Sequence, residues 1–233
     1  MVQKISLQEL GISISAKDLN PSALNSDFLK YSDIIPDDWE LARPPVYTNR
    51  LVQILYKTGL SLIAQPNRLS LIELVTTQSL EDLQCPQIAM KCIDRLPKVA
   101  YDGLGINPRA FMKFESPEAS HQYLTQQLMT PGPWSNSPNG PVQAAIQLVY
   151  PQPEGKLNLA INEASVQRPE SDPESVILFS GSFSYELDGD TQPERLQRMQ
   201  QLISRWQIPL QQFQETLQPF EDLAQNVSLP LQA

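Results

Sequence analysis

The sequence is poor in the residue types that most catalytic and metal centres use. Its 233 residues include one histidine, His121, and two cysteines, Cys85 and Cys92. Nucleophilic catalysis, general acid–base catalysis and structural zinc sites draw first on these residue types. Because the sequence holds no cluster of them, we expect no enzyme, no bound metal and no cofactor.

The two cysteines do not predict a disulfide. In one helix, their spacing of seven residues would separate the two Cα atoms by roughly 10 Å, too far for a disulfide bond. Cys92 also falls in an apolar stripe with Ile88, Ile93 and Leu96, typical of a buried helix face. The chain shows no basic segment followed by an apolar one, as a secretion signal requires. We expect a reduced, cytoplasmic protein.

Basic residues are fewer than acidic ones. The sequence has 17 Lys and Arg and 26 Asp and Glu, which gives a formal net charge of −9. An acidic protein repels phosphate backbones and anionic lipid surfaces. No apolar run approaches the roughly 20 residues of a membrane helix. We therefore expect no nucleic-acid partner and no membrane insertion, and another protein is the expected partner. The oligomeric state stays open.

Alternating apolar and polar residues predict six antiparallel strands. These are residues 46–57, 60–65, 69–76, 142–150, 156–163 and 176–187. Thr58 and Gly59 supply a hairpin turn between the first two. Ile12 and Ile14 indicate a further short strand, and Tyr101 indicates the start of another.

Capping residues and helical spacing predict three helices. These are residues 86–96, 117–129 and 192–217. Ser116 is a cap followed by proline at the first helical position. Thr191 and Glu194 form a capping box, in which each side chain accepts a hydrogen bond from the other residue's backbone. Pro209 is expected to kink or end the last helix.

The predicted fold is α+β, with antiparallel meander sheets and helices packed on one face. Three strands followed by a helix occur twice, which indicates an internal repeat of a strand–strand–strand–helix unit. The predicted halves are residues 1–115 and 116–233, together one compact two-lobed unit. Whether they share one sheet stays open.

Gly103 and Gly105 follow a predicted strand, as in a dinucleotide-binding loop. The full fingerprint needs a third glycine and a helix that begins at the loop. Asn107 and Pro108 follow instead. The glycines therefore favour a β-bulge or close packing between strands.

Three carboxylates, Asp37, Asp38 and Glu40, flank Trp39. Paired carboxylates act in glycoside hydrolysis when they face each other across a cleft. A carboxylate-dependent hydrolase is a weaker alternative, because exposed acidic residues beside a buried aromatic anchor explain the same pattern. His121 is expected to be a surface or partly buried residue without a catalytic role.

Residues 130–141 form a loop rich in proline and glycine, and loops of this kind often carry binding. Trp134, Asn136 and Asn139 are the predicted partner contacts, since tryptophan is enriched at binding hot spots. Alternatively, Trp134 covers the core. The favoured function is a non-catalytic protein-binding or assembly module of chaperone-like type. The alternative is a small-molecule-binding protein with a cavity between sheet and helices.

Two short segments carry resemblances. Residues 27–39, with the later stretch 105–109, resemble uncharacterised conserved proteins of cyanobacterial type, a resemblance that implies no function. The stretch Cys85-Pro86-x-Ile88, the helix after it and the pair at 106–107 resemble the export chaperone SecB over less than a third of the chain. That resemblance implies chaperone-like binding, although Tyr101-Asp102-Gly103 departs from it.

Overall fold

The computed structural model describes residues 4–17, 19–76, 80–135, 137, 140–167 and 172–227. Within them, nine strands form one antiparallel sheet of order β2-β3-β4-β5-β1-β6-β9-β8-β7. The strands are β1 (Ile5–Lys17), β2 (Val46–Tyr47), β3 (Val52–Leu55), β4 (Leu60–Gln65), β5 (Arg68–Leu74), β6 (Ala100–Phe114), β7 (Ala145–Gln152), β8 (Gly155–Val166) and β9 (Glu174–Glu186). The α+β prediction is confirmed, and both halves share a single sheet.

Five α-helices accompany the sheet in the described residues: α1 (Ser26–Tyr31), α2 (Cys85–Arg95), α3 (Pro117–Gln122), α4 (Gln192–Ser204) and α5 (Gln207–Val227). The capping box of α4 is present as predicted. The single helix predicted for residues 192–217 is wrong, because the chain breaks after α4 and α5 continues to Val227. Pro209 lies in the first turn of α5, where a missing N–H costs no helical hydrogen bond.

The strand predicted for residues 46–57 is also divided. A turn at Thr48 separates β2 from β3: its N–H donates to the Leu51 carbonyl, and its hydroxyl accepts from the Leu51 N–H. The helix predicted for residues 117–129 is α3 followed by a π-helical turn, Tyr123–Gln127.

The helices pack on one face of the sheet and bury two apolar clusters. In the first core, α2 and α4 cover β1, β3, β4 and β5, with Ile12, Leu62 and Ile88 among the contacts. In the second core, α5 and the π-helical turn cover β6, β8 and β9, with Phe179 and Phe213 at its centre. Both cores therefore lie between the helices and the same side of the sheet.

The element order repeats along the chain. One strand, a helix, a three-strand meander and a second helix occur as β1-α1-β3-β4-β5-α2 and again as β6-α3-β7-β8-β9-α4. In the sheet, β1 pairs with β6 at the centre, and the two meanders extend to opposite edges. By element order the second unit begins at β6, before the predicted boundary at 115. Its origin by duplication stays a prediction.

Among the helices of the described residues, none combines the length and the apolar character needed to cross a membrane.

Candidate functional site

The face of the sheet opposite the helices carries an open groove of about 430 Å³ over the strands β5, β1, β6 and β9. Alternate residues of a strand point to opposite faces. Apart from Ile72 and the charged residues at the two ends, the residues that turn toward the groove are glycine, serine or asparagine: Gly11, Ser13, Ser15, Ser70, Gly103, Gly105, Asn107, Ser182 and Ser184. We call this surface the open groove. Its floor offers hydroxyl and amide groups with few large side chains above them.

Asn107 organises the centre of the open groove. Its Nδ2 donates to Ser13 Oγ at 3.1 Å, and its Oδ1 accepts from Ser182 Oγ at 3.0 Å. These two bonds cross three strands and fix the orientation of the amide. A Cβ on Gly105 would clash with Ser13 Oγ and lie 3.2 Å from Asn107 Nδ2. Glycine at 105 therefore gives the serine and the amide their room, which is the close strand packing that the glycine pair predicts.

Charged side chains stand at both ends of the open groove. At one end, Arg109 pairs with Glu9 at 2.9 Å across β6 and β1. At the other end, Arg68 and Glu186 line the groove from the outer strands β5 and β9. The groove thus has a hydroxyl-rich floor between two charged ends.

A second depression, of about 810 Å³, continues the open groove at the Arg68 end. It shares Ser15 and Arg68 with the groove. Its charged lining consists of Lys17, Arg50, Arg68 and Asp102. We call it the basic pocket.

The second half of the sheet carries a depression of about 1070 Å³ in the matching position. It lies between the end of β6 and the segments that flank the β8–β9 connection. Its charged lining consists of Lys4, Lys113, Glu115, Glu163, Asp172 and Glu174. We call it the acidic pocket, because carboxylates outnumber the two lysines.

His121 pairs with Glu163, and their Nδ1 and Oε1 atoms lie 2.8 Å apart. No hydroxyl of the described residues donates to this imidazole: Ser120 Oγ donates to the Pro117 carbonyl, and Thr125 Oγ1 donates to the His121 carbonyl. The imidazole is also not part of the acidic pocket's lining. The pair therefore ties α3 to β8 and lacks the nucleophile that a catalytic dyad needs.

Both cysteines are fully buried and free, as expected for Cys92. Burial raises the pKa of the Cys92 thiol to about 12 and holds the pKa of the Cys85 thiol well above its ordinary value. Since the thiolate is the reactive form, both groups are poor nucleophiles. In the described ranges, no group of three or more His, Cys, Asp or Glu side chains is placed to hold a metal ion.

Of the three predicted partner contacts, Trp134 is the one within the described residues. Trp134 lies in the short 3-10 turn Pro133–Ser135, with 36% of its surface exposed, and belongs to neither core. It does not line the groove. Asn136 and Asn139 lie outside the described residues.

The acidic residues around Trp39 are spread over an exposed turn. Asp37 and Asp38 are exposed, and Glu40 pairs with Lys57. Trp39 packs edge-to-face on Tyr56, with 5.4 Å between ring centroids, and contacts the first core. Trp39 thus packs against the core but is half-buried, where the sequence predicts a buried anchor. The arrangement gives little support to a hydrolase at this position.

Sequence reasoning missed the open groove. A sequence feature that could have indicated it is the small size of the residues that alternate with the buried ones in two strands. In β1, Glu9, Gly11, Ser13 and Ser15 alternate with buried apolar residues. In β6, Gly103, Gly105 and Asn107 alternate with buried residues in the same way. The polar positions are mostly small, which an ordinary solvent-facing strand surface does not require.

Comparison with known proteins adds no family to these observations. No protein-family model matches the sequence, and no curated protein matches it. The resemblances to cyanobacterial-type proteins and to SecB therefore stay predictions.

Proposed function

We propose that this protein is a non-catalytic binding module that holds a segment of a partner protein in the open groove. The observation that carries the proposal is the preorganised polar floor, in which Asn107 is bonded to Ser13 and Ser182 across three strands. A peptide group presents one donor and one acceptor, and serine hydroxyls and the asparagine amide supply both kinds of partner. The floor therefore matches a polypeptide backbone.

The dimensions of the groove also suit a polypeptide. Strands in a sheet lie about 4.8 Å apart, so the four strands from β5 to β9 span roughly 14 Å. This width accommodates one extended chain or one helix of about 10–12 Å diameter. The small floor residues let a backbone approach closely, as glycine and serine do elsewhere.

The same groups favour binding over chemistry. Nucleophilic catalysis by a serine needs an adjacent base that takes its proton. The neighbour of Ser13 and Ser182 is the Asn107 amide, which accepts hydrogen bonds but does not take up a proton at neutral pH. The hydroxyls of the open groove are therefore recognition groups in this proposal.

A small-molecule cavity between sheet and helices receives less support. The depression between the β7–β8 hairpin and the start of α5 measures about 260 Å³, with Phe183 and Leu202 in its lining. Sites for drug-sized ligands occupy roughly 300–1,000 Å³. The open groove and the basic pocket are larger and lie on the other face.

The experiment is quantitative capture of partners by the native chain and by two tryptophan variants. Ser184→Trp places a large side chain in the groove, whereas Gln201→Trp places one on the exposed side of α4. We expect proteins recovered with the native chain to be retained by Gln201→Trp and lost with Ser184→Trp. Matching denaturation midpoints exclude misfolding. Recovery of the same proteins by Ser184→Trp contradicts the proposal.

A further inference from the structure

We infer that the partner segment in the open groove is acidic at one end, and that its carboxylates lie over the basic pocket. This inference rests on the proposed function and adds the chemistry and direction of the partner. It follows from the charge at the two ends of the groove.

Three cations converge on the basic pocket from separate parts of the chain. Lys17 ends β1, Arg50 lies in the turn between β2 and β3, and Arg68 begins β5. All three side chains are exposed, and none makes an ion pair with a carboxylate of the described residues. Among the described residues, Asp102 is the one acid in the pocket lining. In a chain of net charge −9, this end of the groove is locally positive.

Two other cations that border the same face do form ion pairs. Arg109 pairs with Glu9, and Lys113 pairs with Glu174 at 2.8 Å. These pairs neutralise charge at the far end of the groove. At the far end, Lys4 is the remaining lysine of the acidic pocket and has no ion pair among the described residues. The basic pocket therefore presents three such cations to an incoming carboxylate, against one at the far end.

The backbone that carries these cations is held in place. The Ala16 N–H donates to the Asn67 carbonyl at 3.1 Å, which joins the end of β1 to the β4–β5 turn. The N–H groups of Arg50 and Leu51 donate to Thr48 Oγ1 at 3.3 and 2.9 Å, which closes the β2–β3 turn. The three side chains therefore project from fixed positions around the pocket.

The arrangement fits a run of carboxylates better than a single phosphate. A lone phosphate is typically held by converging backbone N–H groups or a bidentate arginine in a tight site. Here the cations are spread around about 810 Å³ of open space that continues into the groove. Distributed charge of this kind attracts and orients a charged chain, because the fields of separate cations add along the surface.

The acidic pocket sets the direction. Glu115 and Asp172 line it beside the paired Glu163 and Glu174. An acidic segment is repelled from this end and attracted to the other. Asp102 and Glu186, which face the basic end, limit the net positive charge there without removing it.

The test uses fluorescein-labelled peptides of about 10 residues, which span roughly 33 Å when extended. One peptide of glycine, serine and asparagine ends in glutamates, and its match ends in glutamines. Fluorescence anisotropy should show the glutamate peptide binding the native chain about tenfold more tightly, with a preference that falls as salt rises. The combined variant Lys17→Gln, Arg50→Gln and Arg68→Gln should lose the preference. The matched variant Lys91→Gln, Arg95→Gln and Lys98→Gln, at α2, should keep it.

Each other outcome overturns the inference. Equal binding of both peptides, an undiminished preference in the pocket variant, or no binding of the glutamate peptide contradicts it. Competition by inorganic phosphate at equal charge concentration assigns the pocket to a small anion instead. If both peptides bind equally and Ser184→Trp abolishes both, the proposed function stands and the inference alone fails.

Discussion

The two units of the sheet share one order of elements but differ in charge. Residues 1–98 carry 10 Lys and Arg against 11 Asp and Glu, whereas residues 99–233 carry 7 against 15. Nearly all of the net negative charge therefore belongs to the second unit. The basic pocket lies mostly on the first unit and the acidic pocket mostly on the second. The sheet therefore carries differently charged pockets at its two ends, and the proposed direction of a bound chain depends on this difference.

The units also differ in how corresponding helices begin. In the first, the Cys85 N–H at the start of α2 donates to Glu73 Oε2 at 2.6 Å, and this carboxylate is buried on β5. In the second, α4 begins with the exposed capping box of Thr191 and Glu194. Desolvation raises the pKa of Glu73, whereas the Thr191 backbone N–H lowers the pKa of Glu194. One cap depends on tertiary structure and the other on local sequence.

The third difference is α5, which packs mainly on the second unit, while its Glu221 accepts a hydrogen bond from the Ile5 N–H of β1 at 2.9 Å. Phe213 of α5 is fully buried and packs over β9. Phe213→Ala removes this side chain and leaves a cavity, so we expect the free energy of unfolding to fall by about 3–5 kcal/mol. Denaturant unfolding measures the change. The control is Tyr31→Ala, where 91% of the side chain is exposed and a change below about 0.5 kcal/mol is expected. A loss under about 1 kcal/mol for Phe213→Ala contradicts the packing.

The same helix approaches the sheet through Gly181. A Cβ at this position would lie 2.7 Å from Phe213 Cδ2 and 3.2 Å from Pro108 Cγ. Gly181→Ala should therefore destabilise the protein by about 1–3 kcal/mol through overpacking. Gly103, on the opposite face, has no contact under 3.5 Å at its Cβ position, and Gly103→Ala should cost clearly less. If denaturant unfolding shows the same loss of stability for both variants, tight packing at Gly181 is contradicted.

Local signals in the sequence predicted the caps and the hairpin, but not the length of the central strands. Thr191 and Glu194 form their box from four consecutive residues, so no distant contact is needed. In β1, alternation over Leu10, Ile12 and Ile14 is clear, but only a short strand was predicted because serine and glycine at the other positions resemble loop composition.

The length of β6 is still harder to predict from its sequence. Its glycines and Pro108 belong to residue types that are depleted in strands, so the sequence predicts only the start of a strand at Tyr101 and a bulge or close strand packing at the glycines. The strand persists because β1 pairs with it from Ala100 to Met112, passing over Asp102, whereas the pairing with β9 passes over Asn107 and Pro108. The open groove could not be predicted, because it requires knowing that β5, β1, β6 and β9 are neighbours.

The two cores differ in whether the hydroxyl of a buried tyrosine is hydrogen-bonded. Tyr123 in the second core donates its hydroxyl to the Phe220 carbonyl at 2.7 Å, whereas the buried Tyr56 hydroxyl in the first has no hydrogen-bond partner among the described residues. Tyr123→Phe should therefore destabilise by about 1 kcal/mol, and Tyr56→Phe should stabilise by up to about 1 kcal/mol. Thermal or denaturant unfolding of both variants checks the opposite signs. A loss of stability in Tyr56→Phe indicates a hidden partner.

The smallest effect is the pH dependence of the two helix starts. The folded-state pKa of Glu73 lies above its ordinary value of 4.5, so the folded protein binds more protons than the unfolded chain between these values. Glu73 therefore costs stability as pH rises through this window, and the cost is absent below it. Glu73→Gln should grow more stable relative to the native chain from about pH 4 to pH 7.

The contribution of Glu194 to stability changes with pH in the opposite direction. Its folded-state pKa is lowered, so its contribution is present above its ordinary value and lost as pH falls through the folded-state value. Glu194→Gln should therefore lose stability relative to the native chain at neutral pH and approach it in acid. Unfolding curves across pH measure both variants. Parallel pH dependence of Glu73→Gln and the native chain would contradict the assignment for Glu73.

The central claim is that the open groove, and not the helix-covered face, meets the partner. Site-specific photocrosslinking tests it directly, with p-benzoylphenylalanine in place of Ser184 in the groove or in place of Gln201 on α4. We expect crosslinks to a partner protein from position 184 and none from position 201. Crosslinks from position 201 alone would contradict it.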